Sequence, residues 1–524
     1  MNADGGTGDS TEAQIQARPE AWGGAQSQPQ QWYKPGGAGQ RLPEWPQSAP
    51  LFSNELGIYP ATWAPAEGGA PTLYRSRSLA APAGTIDDGV LAALNAALAP
   101  YHCSLARGSA AHGDDETFDI SMTNGAVDAW QTLVQLRGLR DQDSDASGLS
   151  PAAVAAIDAL ALRRLHFVGL PAKDGHAGSV REAVTMFTQP PARSAPSHVP
   201  GGRRPVVAVI DSGVGTHPWL AGTDGDPFWI DAKAHGWDGG PDGPTTDQGS
   251  GDLSPKDDVL DSHAGHGTFI TGLIRQLAPD ARVLSMYAMT GDGVLDENVV
   301  LHALDWLLTR VRGASTDPAK SADFVDVLNL SFGYYELEPA DNRYTVKMRQ
   351  LLGELGSLGV QVVASAGNHG TMDLVFPAAL ADQDYDDKPA VPLVSVGALN
   401  PDGSHAKYSN YGDWVQVWAP GTAVVSTAPP FDPPFGAMPG PRPESGSDPS
   451  DYLPDDLVGG FAEWGGTSFA AGVVSGWLAR ALSDGAVDGS LTDVSPSAAC
   501  ARAVRAYAAA KAQHFTQGHM QGQP

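Results

Sequence analysis

Five almost uninterrupted apolar runs constrain the fold of this chain more than any other feature. They span 206–210, 282–289, 325–332, 360–366 and 393–399. A strand with one face in water alternates apolar and polar residues, whereas a strand covered on both faces does not. Most of the intervening segments have the period of amphipathic helices, at 268–277, 297–311 and 346–358. The pattern predicts an α/β domain over 206–485, with a doubly wound, mostly parallel sheet and helices on both faces.

A smaller unit is predicted ahead of this domain, over 71–170. Its patterns read strand, helix, strand, strand, helix, helix, strand, which is the order of a ferredoxin-like α+β domain. Gly138 is placed to end the second helix. The predicted helices span 87–99, 126–137 and 150–162, and the predicted strands lie near 74–80, 102–106, 118–122 and 165–170.

The other segments are rich in Gly, Pro or acidic residues and lack a regular period. Such composition predicts disorder, linkers and loops, except at the Ala-rich carboxyl end, where a helix is expected. We expect a disordered amino-terminal segment at 1–50, a linker at 185–205, an acidic insert at 223–262, a Pro-rich insert at 429–454 and a tail at 486–524 with a helix at 496–512.

Charge and cysteine content exclude several classes of function. The chain has 60 Asp and Glu against 32 Lys and Arg, a net charge of −28. Such a surface repels phosphate backbones and anionic lipids, so we expect neither nucleic acid nor a membrane as partner. Only 2 cysteines occur, so no disulfide framework is expected. The first 20 residues lack a secretion signal and no run of about 18 apolar residues is present, which predicts a cytoplasmic protein.

Two candidate catalytic residues lie at the ends of predicted elements. Asp211 follows the first apolar run and precedes Gly213, at the sheet edge where α/β proteins bind ligands. His266 stands in the sequence HAGHGTFITG, at the start of a predicted helix. Taken singly, Asp211 fits a turn and His266 fits a helix cap. A metal pair of His263 and His266 is disfavoured, because the zinc-peptidase pattern requires Glu after the first His.

Two further candidate catalytic residues are Ser468 and Asn368. Ser468 stands in GGTSFAAGVVSG, where two glycines run into a helix. Serine commonly caps a helix, but the same position lets its Oγ project where the helix N-terminus stabilises negative charge. Asn368 follows ASAG at the end of a strand, where an amide can donate to an oxyanion or simply form a turn. Four such residues, each at an element end, together indicate nucleophilic catalysis by a serine.

These residues resemble the signature blocks of the subtilisin-like serine peptidases, the subtilase family. The resemblance covers about 200–485 and its blocks stand in family order. One departure is Gly472, where the family usually has Pro, four residues after the serine. The blocks are 209–213, 266–268 with Gly272, 331–333, 366–368, 408–412, 419–421 and 466–471.

The resemblance implies a serine endopeptidase with a triad of Asp211, His266 and Ser468. His266 takes the proton of Ser468, whose oxygen attacks a peptide carbonyl to give an acyl-enzyme. Asn368 and the backbone N–H of Ser468 stabilise the oxyanion. The implied role is intracellular processing or regulated proteolysis. The alternative is a catalytically impaired protein of this fold that acts as a binding module.

The resemblance also implies where substrate and accessory groups bind. An extended peptide or protein substrate would add as a strand between 291–293 and 331–333, with the first specificity pocket bordered by 365–367. The residues concerned are Gly291, Gly293, Ser331, Phe332, Gly333, Ser365, Ala366 and Gly367. The acidic surface weakly favours basic or neutral peptides.

The same resemblance bears on the small domain and on cofactors. The domain at 71–170 has the element order of an inhibitory propeptide, released by cleavage near 190–204, with a permanent accessory domain as the alternative. No cofactor is required, and no metal ligand is assigned. Calcium is possible, but the acidic insert (Asp224, Asp226, Asp231, Asp257, Asp258, Asp261) lacks a ligand spacing and is better explained as a solvated loop. The sequence leaves the oligomeric state open.

Overall fold

The computed structural model describes the greater part of both predicted domains. The described residues are 58–62, 71–108, 115–123, 129–142, 148–168, 181–223, 225–240, 247, 260–336, 343–381, 389–431, 457, 459–485 and 490–515. The predicted disordered segment at 1–50, residues 224, 241–246 and 248–259 of the acidic insert, and residues 432–454 of the Pro-rich insert lie outside them.

The small domain has the predicted α+β architecture. The strands β5, β2, β4 and β3 lie side by side in that order and run antiparallel, with β1 added on β2. Helices and sheet share one core, in which Leu94, Trp130 and Phe118 are buried. Its elements are β1 (Ile58–Thr62), β2 (Pro71–Pro82), α1 (Asp88–Leu98), β3 (Cys103–Arg107), β4 (Asp115–Met122), α2 (Ala129–Arg140), α3 (Pro151–Ala159) and β5 (Ala161–Phe167).

Two predicted helix boundaries in this domain were wrong. Helix α2 continues through Gly138 to Arg140, since an isolated glycine weakens a helix without ending it. Helix α3 ends at Ala159 rather than at residue 162, because Ala161–Phe167 is taken up as a strand against β2.

The large domain contains the remaining elements. They are β6 (Glu182–Ala183), β7 (Val206–Asp211), β8 (Trp229–Asp231), α4 (His266–Leu277), β9 (Arg282–Tyr287), β10 (Val294–Asp296), α5 (Glu297–Thr316), β11 (Val327–Leu330), β12 (Tyr334–Tyr335), α6 (Arg343–Ser357), β13 (Gln361–Ser365), β14 (Val375–Phe376), β15 (Val394–Leu399), β16 (Val417–Pro420), β17 (Val424–Thr427), β18 (Phe461–Trp464), α7 (Thr467–Asp484) and α8 (Pro496–His514).

A parallel sheet of seven strands forms the centre of this domain, which confirms the predicted fold class. The strand order is β16-β15-β13-β11-β7-β9-β8, and every pairing is parallel. Successive residues of β7 face opposite cores: Ala208 packs with the residues of α5 and α6, and Val209 with those of α4 and α7. Burial on both faces explains the unbroken apolar runs. The short strands β8 and β16 escaped the sequence pattern because neither has a long apolar run.

The carboxyl-terminal part of the predicted linker at 185–205 is bound to the large domain through buried arginines. Arg203 and Arg204 are both buried, and each makes an ion pair with a buried carboxylate, Asp326 and Asp226 respectively, at 2.7 Å. A buried guanidinium is costly unless it is paired and hydrogen-bonded. Residues 193–204 therefore belong to the large domain, and the prediction of a linker here was wrong.

The carboxyl-terminal helix is also part of the large domain rather than a separate tail. Helix α8 packs against α7, and its Ala506 and Ala510 are buried in the same core as Leu478. Small side chains on one face let the two helices approach closely. The domain boundary predicted at 485 was therefore placed too early.

Candidate active site

Asp211 and His266 meet at the carboxyl end of the central strand. Asp211 ends β7, and His266 is the first residue of α4. Its Nδ1 lies 2.8 Å from Oδ1 and 3.0 Å from Oδ2 of Asp211, and both side chains are buried. A carboxylate at Nδ1 fixes the proton there and leaves the lone pair of Nε2 available as a base.

The glycine after the histidine is required by close packing. A Cβ on Gly267 would lie 2.2 Å from the backbone oxygen of Gly213. The two loops that carry Asp211 and His266 can therefore touch only with glycine at this position. This contact explains the His-Gly pair in the sequence.

Ser468 lies on the neighbouring helix, with its hydroxyl hydrogen-bonded to a backbone oxygen and not to the histidine. It is the second residue of α7, and the ring of Phe469 beside it is 5.1 Å from the imidazole of His266. Its Oγ donates to the backbone oxygen of Ser331 at 3.1 Å. Within the part of the chain that the structure describes, Nε2 of His266 has no hydrogen-bond partner. The structure thus brings the three side chains to one region but joins only Asp211 and His266.

Asn368 points its amide nitrogen into the cleft. Its Oδ1 accepts hydrogen bonds from both N and Oγ1 of Thr467, each at 2.8 Å. Two donors at one atom identify it as the oxygen. The Nδ2 group is then left to donate to the backbone oxygen of Val168, at 3.2 Å. Sequence reasoning assigned no role to Thr467, although it directly precedes the predicted nucleophile.

The last strand of the small domain occupies the predicted substrate cleft. Phe167 exchanges two backbone hydrogen bonds with Gly333, at 2.8 and 2.9 Å, and the N–H of Val168 donates to Gly293 O at 3.1 Å. Strand β10 pairs antiparallel with β5 over Asp296–Val294. The segment is therefore an added strand between the two segments predicted to hold substrate. The resemblance to an inhibitory propeptide agrees with this position, but the sequence did not indicate which residues enter the cleft.

The remaining predicted substrate residues are buried or hydrogen-bonded, and one of them, Phe332, packs against this strand. Ser331 donates from Oγ to the backbone oxygen of Ser468, and Phe332 packs its ring 5.2 Å from that of His166. Gly367 donates to Oγ1 of Thr467 at 3.0 Å. Ser365 and Ala366 are buried at the end of β13, and Gly291 accepts from the N–H of His263 at 2.7 Å.

Asn410 holds the loop that carries Asn368. Its Nδ2 donates to the backbone oxygen of Ala366, and its Oδ1 accepts from the backbone N–H of His369 and Thr371. Both distances at Oδ1 lie between 3.0 and 3.2 Å. The block at 408–412 was recognised by resemblance, but its positioning of this loop emerges only from the fold.

The acidic insert is in part an ion-pair cluster rather than a solvated loop. Asp226 is buried and pairs with Arg193, Arg204 and Arg282. Burial alone would raise the pKa of Asp226, but Arg204 and Arg193 outweigh it and lower the pKa to about 2. Asp231 caps a short turn through the N–H of Lys233. Asp224, Asp257 and Asp258 lie outside the described residues. Within the described ranges, no group of three or more His, Cys, Asp or Glu is arranged to hold a metal.

Comparison with known proteins decides the family. The model of the subtilase family, Peptidase_S8, matches residues 202–522, more than half of the chain. The chain belongs to the subtilase family. The match extends past residue 485, in agreement with the packing of α8 in the core of this subtilase.

Curated relatives of this subtilase are distant. Subtilisin BL of Lederbergia lenta is 27% identical over 232 residues, which are 43% of this chain and 66% of that protein. The alkaline protease of Alkalihalobacillus alcalophilus is 26% identical over 232 residues, 43% of this chain and 47% of that protein. The subtilase therefore covers less than two thirds of the length of either relative.

Solved structures with some likeness include two peptidases. A cold adapted subtilisin-like serine proteinase gives a TM-score of 0.34 at 18% identity, over 61% of this chain and 87% of that one. A lanthipeptide protease gives a TM-score of 0.36 at 21% identity, over 54% of this chain and 74% of that one. Scores this low support no argument, so the family assignment depends on the sequence match. Among the described residues, no helix combines the length and apolar character needed to span a bilayer.

Proposed function

We propose that this subtilase is a serine endopeptidase that forms an acyl-enzyme on Ser468. The contact between Asp211 and Nδ1 of His266 carries the proposal, because it leaves Nε2 free to act as a base. Rotation of the Ser468 side chain would move its hydroxyl from Ser331 O toward Nε2. His266 then takes the hydroxyl proton while Oγ attacks a peptide carbonyl, and returns that proton to the leaving amine. Water hydrolyses the ester with His266 as base again.

Asn368 is the proposed oxyanion donor. Thr467 holds its Oδ1 with two hydrogen bonds, so Nδ2 points into the cleft without side-chain rearrangement. This group already donates to a backbone carbonyl, that of Val168. A donor fixed before the reaction stabilises the developing negative charge most effectively.

The small domain is the proposed inhibitor of the site. Its residues Phe167 and Val168 make the backbone hydrogen bonds that an added substrate strand would make. After Val168 the described chain resumes at Arg181, which is buried and donates to the backbone oxygens of Asp261 and Ala264. We propose that self-cleavage between Val168 and Arg181 releases the domain, in place of the cut near 190–204 expected from sequence. A permanent accessory domain is the competing account.

The strand in the cleft suggests the substrate class. His166, Phe167 and Val168 are 0%, 6% and 5% exposed, and Leu165 is fully buried. The centre of the His166 ring lies between 4.8 and 5.3 Å from the ring centres of Phe332, Tyr334 and Tyr344. We therefore propose extended peptides with apolar and aromatic side chains as substrates, rather than the basic or neutral peptides expected from surface charge. The predicted location in the cytoplasm stays a prediction.

A binding module without activity is the second candidate. The observation in its favour is the Ser468 hydroxyl, which donates to Ser331 O and not to His266. In that account β5 stays bound in the cleft permanently, and no peptide is cleaved.

Hydrolysis of casein by the wild type and by Ser468→Ala separates the two candidates. The substitution removes one buried oxygen, so the fold should survive while hydrolysis falls about 10⁶-fold, as when a catalytic serine is removed from subtilisin. Asn368→Ala should retain residual activity about 10²–10³-fold below wild type, the range known for the oxyanion amide of subtilisin itself. Equal rates for Ser468→Ala and wild type would refute the catalytic assignment.

A further inference from the structure

A second buried carboxylate lies beside the triad, and neither the sequence patterns nor the proposed mechanism uses it. Asp247 belongs to the acidic insert and is 2% exposed. Its Oδ1 accepts from the N–H of Gly265 at 2.7 Å and from Oγ of Ser212 at 3.1 Å. Its Oδ2 accepts from both N and Oγ1 of Thr268, at 2.9 and 2.8 Å. Four donors on one carboxylate make a strong anchor.

These donors belong to the two segments that carry the triad acid and base. Ser212 directly follows Asp211, while Gly265 and Thr268 stand on either side of His266. The network extends further: Gly267 N donates to Ser212 Oγ at 2.9 Å, and Gly215 N donates to Thr268 Oγ1 at 2.7 Å. Asp247 therefore joins the loop after β7 to the first turn of α4.

We propose that Asp247 is a positioning residue, which holds His266 Nδ1 against Asp211 and places a second negative charge near the imidazole. The carboxylate lies at the N-terminus of α4, where the helix dipole and unpaired N–H groups favour an anion. The reaction rate depends strongly on where the catalytic groups lie. Moving a catalytic group by about 1 Å can reduce the rate about 10²-fold. The proposal rests on the peptidase function proposed above.

Several titratable groups act electrostatically on Asp247 from the elements packed around it. They are Asp211 at the end of β7, Tyr287 at the end of β9 and Arg181 before β6, with Asp261 and His263 close to these. Burial raises the pKa of Asp247 to about 6; the hydrogen bonds from Thr268 and Gly265 oppose the rise, and the charge of Asp211 adds to it. Asp247 is therefore an anion above about pH 6.

The test is the pH dependence of peptide hydrolysis by the full chain with Asp247→Asn. Asparagine keeps the shape but loses the charge and one acceptor. We expect kcat to fall about 10²-fold with KM little changed. The acid limb of kcat/KM should move to lower pH, because a negative charge that favours the protonated imidazole has been removed. Rates are normalised to the fraction of molecules that a fluorophosphonate labels.

Two further variants separate charge from anchoring and from stability. Thr268→Val removes one anchor but keeps the charge of Asp247, so kcat should fall less and the acid limb should not move. Asp226→Asn removes a buried carboxylate from the arginine cluster; it should lower Tm while kcat and the acid limb stay as in wild type.

Each outcome decides the proposal. Wild-type kcat and an unmoved acid limb in Asp247→Asn would overturn it while leaving the peptidase function intact, whereas an inactive wild type would refute the function itself. If Asp247→Asn neither melts cooperatively nor takes up the probe, Thr268→Val decides: a wild-type kcat there overturns the proposal, and a reduced kcat at unchanged KM supports it.

Discussion

Two segments contact the body of the large domain by different kinds of interaction. Strand β5 and Val168 dock in the cleft mainly through backbone hydrogen bonds and buried rings, with one ion pair from Arg163 to Asp296 at 2.8 Å. Residues 193–204, by contrast, are held by several buried arginine contacts. Arg203 alone donates to Asp326 and to the backbone oxygens of Ser321, Phe324 and Leu491. A competing peptide can replace the backbone hydrogen bonds of the first segment, whereas the second depends on its own arginines.

The difference indicates which segment leaves if the chain is cut between them. Removing β5 opens a cleft that another extended peptide fills with the same hydrogen bonds. Removing Arg203 or Arg204 would take from the buried Asp326 or Asp226 its shortest arginine contact, at 2.7 Å. The expected product is thus a large domain that keeps residues 193–204.

The largest expected effect concerns where the chain is cut. Purified wild type should yield two fragments whose junction lies between Val168 and Arg181, because that interval separates the two kinds of attachment. Ser468→Ala should remain intact. Mass spectrometry of both proteins locates the cut. A junction within 190–204 would contradict the inference that this segment stays with the large domain. An uncut wild type would favour the permanent accessory domain.

Loss of an arginine anchor should destabilise the large domain. Arg203→Met leaves Asp326, which is 3% exposed, without its bidentate partner and with the longer contact to Arg502, at 3.4 Å, in its place. We expect the free energy of unfolding to fall by about 3–5 kcal/mol, measured by denaturant unfolding in the uncut Ser468→Ala chain. The control is Arg480→Met: that exposed helix pair with Asp484 contributes about 0.5 kcal/mol or less. Equal effects would show that residues 193–204 are not an anchor.

Loss of a cleft contact should weaken docking rather than folding. Phe167→Ala removes a ring that packs against Tyr335 and His369. A buried Phe→Ala change costs about 3 kcal/mol or more, so the amide hydrogens of residues 161–168 should exchange up to about 10²-fold faster in the uncut Ser468→Ala chain. Leu91→Ala, in the half-buried face of α1, is the matched control and should leave this exchange unchanged. Equal exchange in both variants would mean that Phe167 does not hold β5 in the cleft.

The smallest effect is a pH dependence of docking. Burial, with a smaller contribution from the charge of Arg164, lowers the pKa of His166 to about 3 from its ordinary value of 6.5. The docked state therefore disfavours the proton: docking is strongest above pH 6.5 and weakens as pH falls. At pH 5 the loss is about 2 kcal/mol. Hydrogen exchange at 161–168 in Ser468→Ala, corrected for intrinsic rates, should lose protection. His166→Phe should remove this pH dependence; persistence would contradict it.

The fold could be predicted from the sequence where an element has a recognisable local pattern of residues. The unbroken apolar runs that include Val207–Ile210 predicted a parallel sheet, and that prediction is confirmed. The same runs fixed the positions of Asp211 and Asn368 at strand ends. Short strands such as β8 and the course of residues 193–204 could not be predicted in this way, because pairing partners far along the chain determine them.

Prediction of the site residues from the sequence has the same limit. Asp211, His266, Ser468 and Asn368 stand in local patterns that mark element ends. Asp247 and Val168 do not, because their importance comes from contacts with residues that are distant in sequence. A lone Asp in an acidic insert has no local signal that separates it from its solvated neighbours. Only the folded chain distinguishes them.

The most direct test of the account is where a fluorophosphonate attaches. The account predicts one labelled residue, Ser468, in folded wild type, identified by peptide mapping. Labelling should be lost in Ser468→Ala and greatly slowed in His266→Ala, whose fold should persist. If folded wild type takes up no probe even after prolonged incubation, or if His266→Ala is labelled as fast as wild type, the side chains that meet at this edge of the sheet do not form a catalytic triad.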